Sequence, residues 1–372
     1  MRKLRVKLIS WFRPLIFISL IGSASVSFAQ HIDAVTIDQI KKQAELEGHL
    51  IVYSVLSNKA AQPLVDGFKS LYPGIKVEYD GEGGSTETYD RFIAESKAKK
   101  PTADVMWSSA MDLQMKLVVD GHSAKYVSVE SKNIPKWANF KDIAWGTTYE
   151  PVVMVYNKQL LKLDEVPTDH TSFTQLLSSN QEKFKGKVTS FDLEKSGVGY
   201  MFAVQDQIQN PRWAELQRSL GLSKPFLASG TGEMLKRINS GESILGYNIM
   251  GSYALTRSKK DLPNLGVAIP KDFAPILSRV MFININAAHP NAAKLWVDFV
   301  LSKQGQKIMG DGLELNAIRE DSGTKNSAQS LNQQIGVAAK LIPINADLAE
   351  TLNEKFQLQF IQKWKQATLN TN

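Results

Sequence analysis

The 372-residue chain predicts an α/β fold built as two successive sheet-and-helix regions, and three observations carry that prediction. Short apolar, β-branched runs recur along it. Each is followed by a Ser, Thr, Gly or Asn loop that opens a segment with apolar residues at helical spacing. A long apolar strand at 151–156 then separates one series of such units from the next, and repeated strand-loop-helix units indicate parallel sheets covered by helices.

In order, residues 32–47 read as a short amphipathic segment, and 50–56 as a buried strand. Ser57-Asn58 supplies cap-type residues before Ala61, Leu64, Phe68 and Leu71, and Tyr72-Pro73-Gly74 is the stop. Residues 75–79 alternate as a strand, and the glycine-rich stretch 81–86 leads into a helix carrying Tyr89, Phe92 and Ile93. The third unit is a strand at 104–107, the pair Ser108-Ser109, and a helix with Leu113 and Leu117. Beyond the long strand, helices are expected to open at 196–199 and 229–232, with strands at 244–248, 267–269 and 278–284. Residues 289–302 form a helix burying Leu295, Trp296, Phe299 and Val300. Residues 312–330 are polar and expected to be loose, and a closing amphipathic helix carries Leu352, Phe356, Phe360 and Trp364.

Composition narrows the function. With 43% hydrophobic and 22% charged residues the chain is neither disordered nor collagen-like. It has no cysteine, which removes disulfides, thiol catalysis, cysteine zinc sites and iron–sulfur clusters. The formal charge of +7 sits largely in residues 1–29, where Arg2, Lys3, Arg5, Lys7 and Arg13 precede an apolar run and the small residues ending at Ala29. This is the layout of a secretory signal peptide, and the run falls short of the ~20 residues of a spanning helix. Cleavage after Ala29 lowers the balance to +2, so no nucleic-acid partner is expected. No cysteine follows that could carry a lipid anchor, so the mature protein is expected free in the periplasm and as a monomer.

A helix start offers unpaired N–H groups and about half a positive charge, and so suits an anion without any lysine. Loops of this kind occur at Ser57-Asn58, Gly84-Ser85-Thr86, Ser108-Ser109, Ser196-Gly197-Val198-Gly199 and Ser229-Gly230-Thr231. Singly, each is an N-cap; together, beyond the carboxyl ends of strands, they line a cleft. Catalytic motifs are missing: there is no His-Glu-x-x-His, no phosphate-cradling Gly-x-x-x-x-Gly-Lys, and Glu87 spoils the one near-match to a nucleophile elbow. The histidines have structural explanations, His170 in a polar loop among them. No enzyme activity, metal site or cofactor is expected.

Several stretches resemble the extracellular solute-binding proteins of ABC importers, in the iron(III)-binding-like branch that also contains binders of phosphorylated sugars and phosphonates. They are Leu50-Ile51-Val52-Tyr53-Ser54, Ala103-Asp104-Val105-Met106-Trp107, Tyr156-Asn157-Lys158, Ser196-Gly197-Val198-Gly199-Tyr200 and, above all, the helix from His289-Pro290-Asn291 to Gly305-Gln306. The resemblance implies a two-lobed, type II binding-protein fold with two crossover hinge strands, docking to membrane permease subunits. It divides the chain into a first part of lobe 1 at 30–148, crossover and lobe 2 at 149–275, and the return crossover, completion of lobe 1 and C-terminal helices at 276–372.

Iron binders of this type use a His after the first strand, a Glu after the third and paired tyrosines in the second lobe. Here those positions fall near Ser57, near Ser109 or Ala110, and in Gly251-Ser252-Tyr253. A ferric ion needs mostly anionic oxygen ligands, so a small anion is favoured: organophosphate, phosphonate or carboxylate. The expected contacts are Ser57, Asn58, Ser85, Thr86, Ser108 and Ser109 in lobe 1, and Asp192, Ser196, Gly197, Gly199 and Tyr200 in lobe 2. Tyr149 and Glu150 serve ligand or hinge; Tyr247 and Asn248 read a polar rim or form a buried pair. Lys59, Arg91 and Arg279 are candidate charges. The alternatives are a ferric-ion binder and a receptor that presents its ligand to a membrane sensor kinase.

Overall fold

The computed structural model describes residues 37–313 and 315–368, and the described residues from Ile40 onward form one compact unit. The leader expected at 1–29 lies outside the described residues. In chain order the strands are β1 (His49–Ser54), β2 (Lys76–Asp80), β3 (Val105–Ser108), β4 (Asn139–Phe140), β5 (Ala144–Gly146), β6 (Glu150–Asn157), β7 (Val188–Phe191), β8 (Phe226–Ala228), β9 (Leu245–Met250), β10 (Leu265–Ala268), β11 (Ala274–Leu277), β12 (Val280–Ile283) and β13 (Ala339–Leu341).

They form two sheets, one per lobe. The first runs β2-β1-β3-β12-β5-β4, and the second runs β13-β11-β6-β9-β7-β8, with β10 also paired to β6. β1 is parallel to β2 and β3, as its βαβ connections require. β12 is antiparallel to both β3 and β5. The sheets are therefore mixed rather than all parallel, because the chain re-enters the first sheet from the second lobe at the carboxyl edge of β3 and must run back.

The chain leaves the first sheet between Gly146 and Glu150 and returns between Leu277 and Val280. The two passages are tied side by side. Thr147 N donates to the Arg279 carbonyl (3.0 Å), and Arg279 N donates to Thr148 Oγ1 (2.9 Å).

Of the expected caps, Ser57 and Ser196 act where the sequence places them, whereas Gly84, Ala110 and Gly230 stand at their helix starts without a side-chain cap bond, so Ser108-Ser109 and Ser229 do not cap. Ser57 Oγ accepts from Ala60 N at the head of the helix Asn58–Leu71, which buries Ala61, Leu64, Val65 and Phe68. Ser196 Oγ does the same for the helix Gly197–Gln209. In Pro290–Leu301 the proline occupies the first turn, where its missing N–H costs nothing. Its fully buried Trp296 packs on Phe68 at a ring distance of 5.2 Å.

Two expectations are corrected. The stretch 312–330 is not loose: Leu315, Ala317 and Ile318 are buried, Ala317 bridges both Thr148 and Ser327, and Gln306 Oε1 accepts from Ile318 N (2.7 Å). Three apolar residues inside polar composition make this a third passage beside the hinge. His170 is not in a loop but opens the helix His170–Ser179, capped by Asp169. It is buried, stacked on Phe273 at 3.9 Å, and holds Asp272 through Nδ1 (2.9 Å).

Candidate functional site

Two helix starts from opposite lobes meet directly. Gly197 N donates to Thr86 Oγ1 (3.1 Å) and Val198 N to Ser85 Oγ (3.3 Å). The first-turn N–H groups of the lobe 2 helix are thus capped by hydroxyls from the helix Ser85–Lys97 of lobe 1. The approach is close: a Cβ on Gly197 would stand 2.6 Å from Leu113 Cδ1 of lobe 1, so that side chain would have to shift, while within lobe 2 one on Gly199 would stand 2.3 Å from Phe191 Cβ. The lobes are therefore shut on one another in this structure.

At the hinge, Arg279 and Glu150 form an ion pair with both side chains almost fully buried (1% and 0% exposed). Arg279 Nε lies 2.9 Å and Nη2 3.2 Å from the carboxylate, and Nη2 also reaches Tyr253 Oη (3.1 Å). Thr148 Oγ1 donates to Glu150 Oε1 (2.8 Å), and Ser252 Oγ donates to Oε2. Burial opposes the charge on Arg279, but Glu150 and Tyr253 outweigh it and hold its pKa above the usual value. Nη1, however, is buried without a hydrogen-bond partner among the described residues. Close by, Tyr79 donates to the Leu56 carbonyl (3.0 Å), its pKa raised by burial, and the Arg279 charge reaches it. The guanidinium thus stands where the carboxyl ends of lobe 1 strands meet the helix Gly251–Lys260 of lobe 2.

A second buried charge lies on the same edge. Asp112, in the first turn of the helix Met111–Val119, is 0% exposed. Its Oδ1 accepts from Leu113 N (2.9 Å), while Oδ2 has no partner among the described residues. Burial pushes this carboxyl up to about 7 against the backbone bonds that pull it down.

The other expected residues are placed as follows. Asn58 N donates to Glu82 Oε1 (3.1 Å), and Asn58 Oδ1 accepts from Gly81 N (2.8 Å), so a carboxylate of the chain itself already sits at the start of the helix capped by Ser57. Ser108 and Ser109 are buried beneath the edge, Ser108 Oγ accepting from Ala110 N (3.2 Å). Asp192 accepts from Glu194 N (3.0 Å) in the turn before Ser196, and Tyr200 Oη donates to the Thr351 carbonyl (2.6 Å). Tyr149 turns to Asn332 (2.6 Å). Tyr247 and Asn248 both donate to Asp206 Oδ2 (2.8 and 2.7 Å), and the burial that raises the Asp206 pKa is opposed by His170 and by these two bonds. Those bonds pin the helix that begins at Gly197 to β9. Lys59 is in no ion pair among the described residues, and Arg91 is spent on Asp80 and Glu95.

Asp112, Tyr79 and Glu82 were missed by sequence reasoning. An acid in a helix's first turn reads as a favourable dipole partner, so nothing marks Asp112 as unpaired. Arg279 does carry a signal: it is the one charge in the apolar run from Ala274 to Ile283.

Two mixed sheets joined by paired hinge passages, with helix starts facing across a seam, define a two-lobed, type II binding protein. The sequence matches the family described as bacterial extracellular solute-binding protein over residues 54–307, and the chain belongs to that family, whose members serve ABC importers as receptors. The substrate-binding protein of an ABC transporter from Agrobacterium tumefaciens is similar at 32% identity and a TM-score of 0.81, over 86% of this chain and 94% of that one. The periplasmic binding protein AfuA from Actinobacillus pleuropneumoniae, with fructose-6-phosphate bound, is similar at 20% identity and a TM-score of 0.69, over 87% and 99%. The apo ferric ion-binding protein A from Pasteurella haemolytica is similar at 16% identity and a TM-score of 0.67, over 86% and 98%. The last two likenesses establish the fold alone.

Proposed function

We propose that the chain is a periplasmic receptor that captures a small organic anion in the seam between its lobes and delivers it to the permease of an ABC importer. Organophosphates, phosphonates and carboxylates are the favoured classes. The observation that carries this reading is Arg279: a buried guanidinium at the junction of the lobes, fixed by Glu150, with Nη1 left unpaired. A buried charged donor without a partner is costly, and an anion arriving before closure removes that cost through a charge-assisted hydrogen bond. Lys259, Lys260 and Lys325, in no ion pair among the described residues, line a cavity of about 750 Å³ together with Ser252 and a single acid, Asp311, and add net positive potential beside the helix Gly251–Lys260.

A ferric ion is disfavoured by the same groups. Arg279 is held against Tyr253, the one tyrosine at the position of the iron binders' pair, and it repels a cation there.

The test is a thermal-shift screen of the mature protein against sugar phosphates, phosphonates, carboxylates and ferric citrate. A ligand at ~100 times its Kd adds about 2.7 kcal/mol to stability. Stabilisation by ferric citrate alone overturns the anion reading. In the Arg279→Gln/Glu150→Gln protein, which carries neither charge, the anion-induced shift is expected to vanish while the fold persists.

A further inference from the structure

Behind the hinge lies a second cavity, of about 440 Å³, a size usual for small-molecule sites. The hinge itself forms one wall. Thr148 and Glu150 turn their side chains to the Arg279 side, where Thr148 Oγ1 donates to Glu150 Oε1 (2.8 Å). Tyr149, between them in extended chain, points the other way, and its ring lines this cavity. Trp137 closes the corner beside Gly146, its ring 6.0 Å from that of Tyr149 and tilted by 55°. Buried Ala317 and Ile318 of the third passage complete the apolar lining, and neither Arg279, Glu150 nor Ser252 belongs to it.

The polar wall is a row of carboxamides. Gln329, Asn332 and Gln333 stand at i, i+3 and i+4 on the helix Ala328–Ile335 and so share one face. All three are exposed and line the cavity. Asn332 Oδ1 accepts from Tyr149 Oη (2.6 Å), which fixes that amide, while the side chains of Gln329 and Gln333 make no hydrogen bond among the described residues. Arg319 spends its guanidinium on Glu130 and Asp321. Among the described lining residues, the one charge outside an ion pair is then the exposed carboxylate of Glu320. An anion finds no free cation here, so the chemistry differs from that of the seam.

We propose that this cavity is a second binding site and takes a neutral pyranose sugar, with one face of the ring on Trp137 and the hydroxyls on the carboxamide row. The C–H groups on a pyranose face carry partial positive charge and suit the negative face of an indole. Each hydroxyl both donates and accepts, and a carboxamide answers both. A flat base sandwiched between two rings needs them parallel, whereas Trp137 and Tyr149 form a corner. The site lies outside the seam and does not depend on the anion reading.

The test titrates methyl α-glucopyranoside, methyl β-galactopyranoside and N-acetylglucosamine into isotope-labelled mature protein and follows the tryptophan indole N–H signals by NMR. Trp137→Phe identifies the Trp137 signal by its loss. The expected result is a saturable shift of that signal with at least one sugar, at a dissociation constant on the order of 1 mM, as suits a ligand of this size. Gln329→Ala with Gln333→Ala, at exposed helix positions where alanine is well tolerated, weakens binding about fivefold or more and leaves the melting midpoint in place. A Trp137 signal that no sugar moves at about 100 mM, or binding undiminished in the double variant, overturns the site. So does a sugar that moves other indole signals while that of Trp137 stays still, because it binds elsewhere. A Trp137 shift driven by tetramethylammonium and by none of the sugars assigns the corner to a cation and overturns the sugar.

Discussion

Replacing Glu150 by Gln tests the hinge most directly. The carboxylate is fully buried and takes two bonds from Arg279, one from Thr148 and one from Ser252. The amide keeps the shape but removes the charge, leaving the guanidinium of Arg279 uncompensated in a buried site. Breaking a buried pair in this way costs about 3–5 kcal/mol. Replacing both partners by Met leaves no buried charge; what remains is the loss of partners for the buried Thr148 and Ser252 hydroxyls, about 1 kcal/mol each, the half-buried Tyr253 hydroxyl that also loses Arg279 being within reach of water. The double variant is therefore expected to lose about 2 kcal/mol, less than the single one, with a coupling of the same order. Urea unfolding followed by the fluorescence of the six tryptophans that lie beyond residue 29 measures all of these proteins. Additive losses, with the double variant the least stable, would refute the claim that Glu150 exists to hold Arg279.

Other expectations follow from the same geometry. Ser85→Ala with Thr86→Val removes both lobe 1 acceptors at the start of the lobe 2 helix and leaves its own cap, Ser196, in place. At about 0.5–1.5 kcal/mol per bond it shifts the ligand-free protein toward open forms, read as a larger radius of gyration in solution scattering. Gly199→Ala forces a methyl to 2.3 Å from Phe191 Cβ; overpacking of this kind costs about 1–3 kcal/mol and lowers the melting midpoint, while Gly232→Ala, inside the helix Thr231–Ser240 with open space around it, does not lower it. Burial raises Asp112 to about 7 and Asp298 to about 6. The folded chain therefore binds more protons than the unfolded one between about pH 4 and 7, and stability falls as pH rises through that window, at most ~1.4 kcal/mol per pH unit per group. Asp112→Asn flattens the upper part of the slope, as pH-dependent urea titrations will show.

Much of the first lobe is written in local pattern. β1, β2 and β3 each fall within a residue or two of the apolar runs that predict them, and Ser57 and Ser196 cap the helices they precede, because cap chemistry and helical periodicity act over only a few residues. The antiparallel return of β12 is not local, since it depends on where the chain comes back from. The order at 312–330 is hidden for the same reason: Ala317 is buried by Thr148, more than 160 residues earlier in the chain. At the site, the hydroxyl loops Ser85-Thr86 and Ser196-Gly197 were visible, but not that they would bond to each other. Asp112 illustrates the limit. Its chemistry rests on having no partner, and sequence records only what is present.

The third passage changes how the hinge deforms. Two adjacent strands between two bodies make a narrow ribbon, which bends readily and also twists. Here the chain beyond Ala317 continues through β13 on β11, then lays the helix Asp347–Glu350 against Met111–Val119 of lobe 1 and stacks Trp364 on Trp213 of lobe 2 at 6.0 Å. Attachments set off the line of the ribbon act as a brace, stiff in torsion and soft in flexion. Such bracing resists twist between the lobes and so keeps Thr86 in register with Gly197.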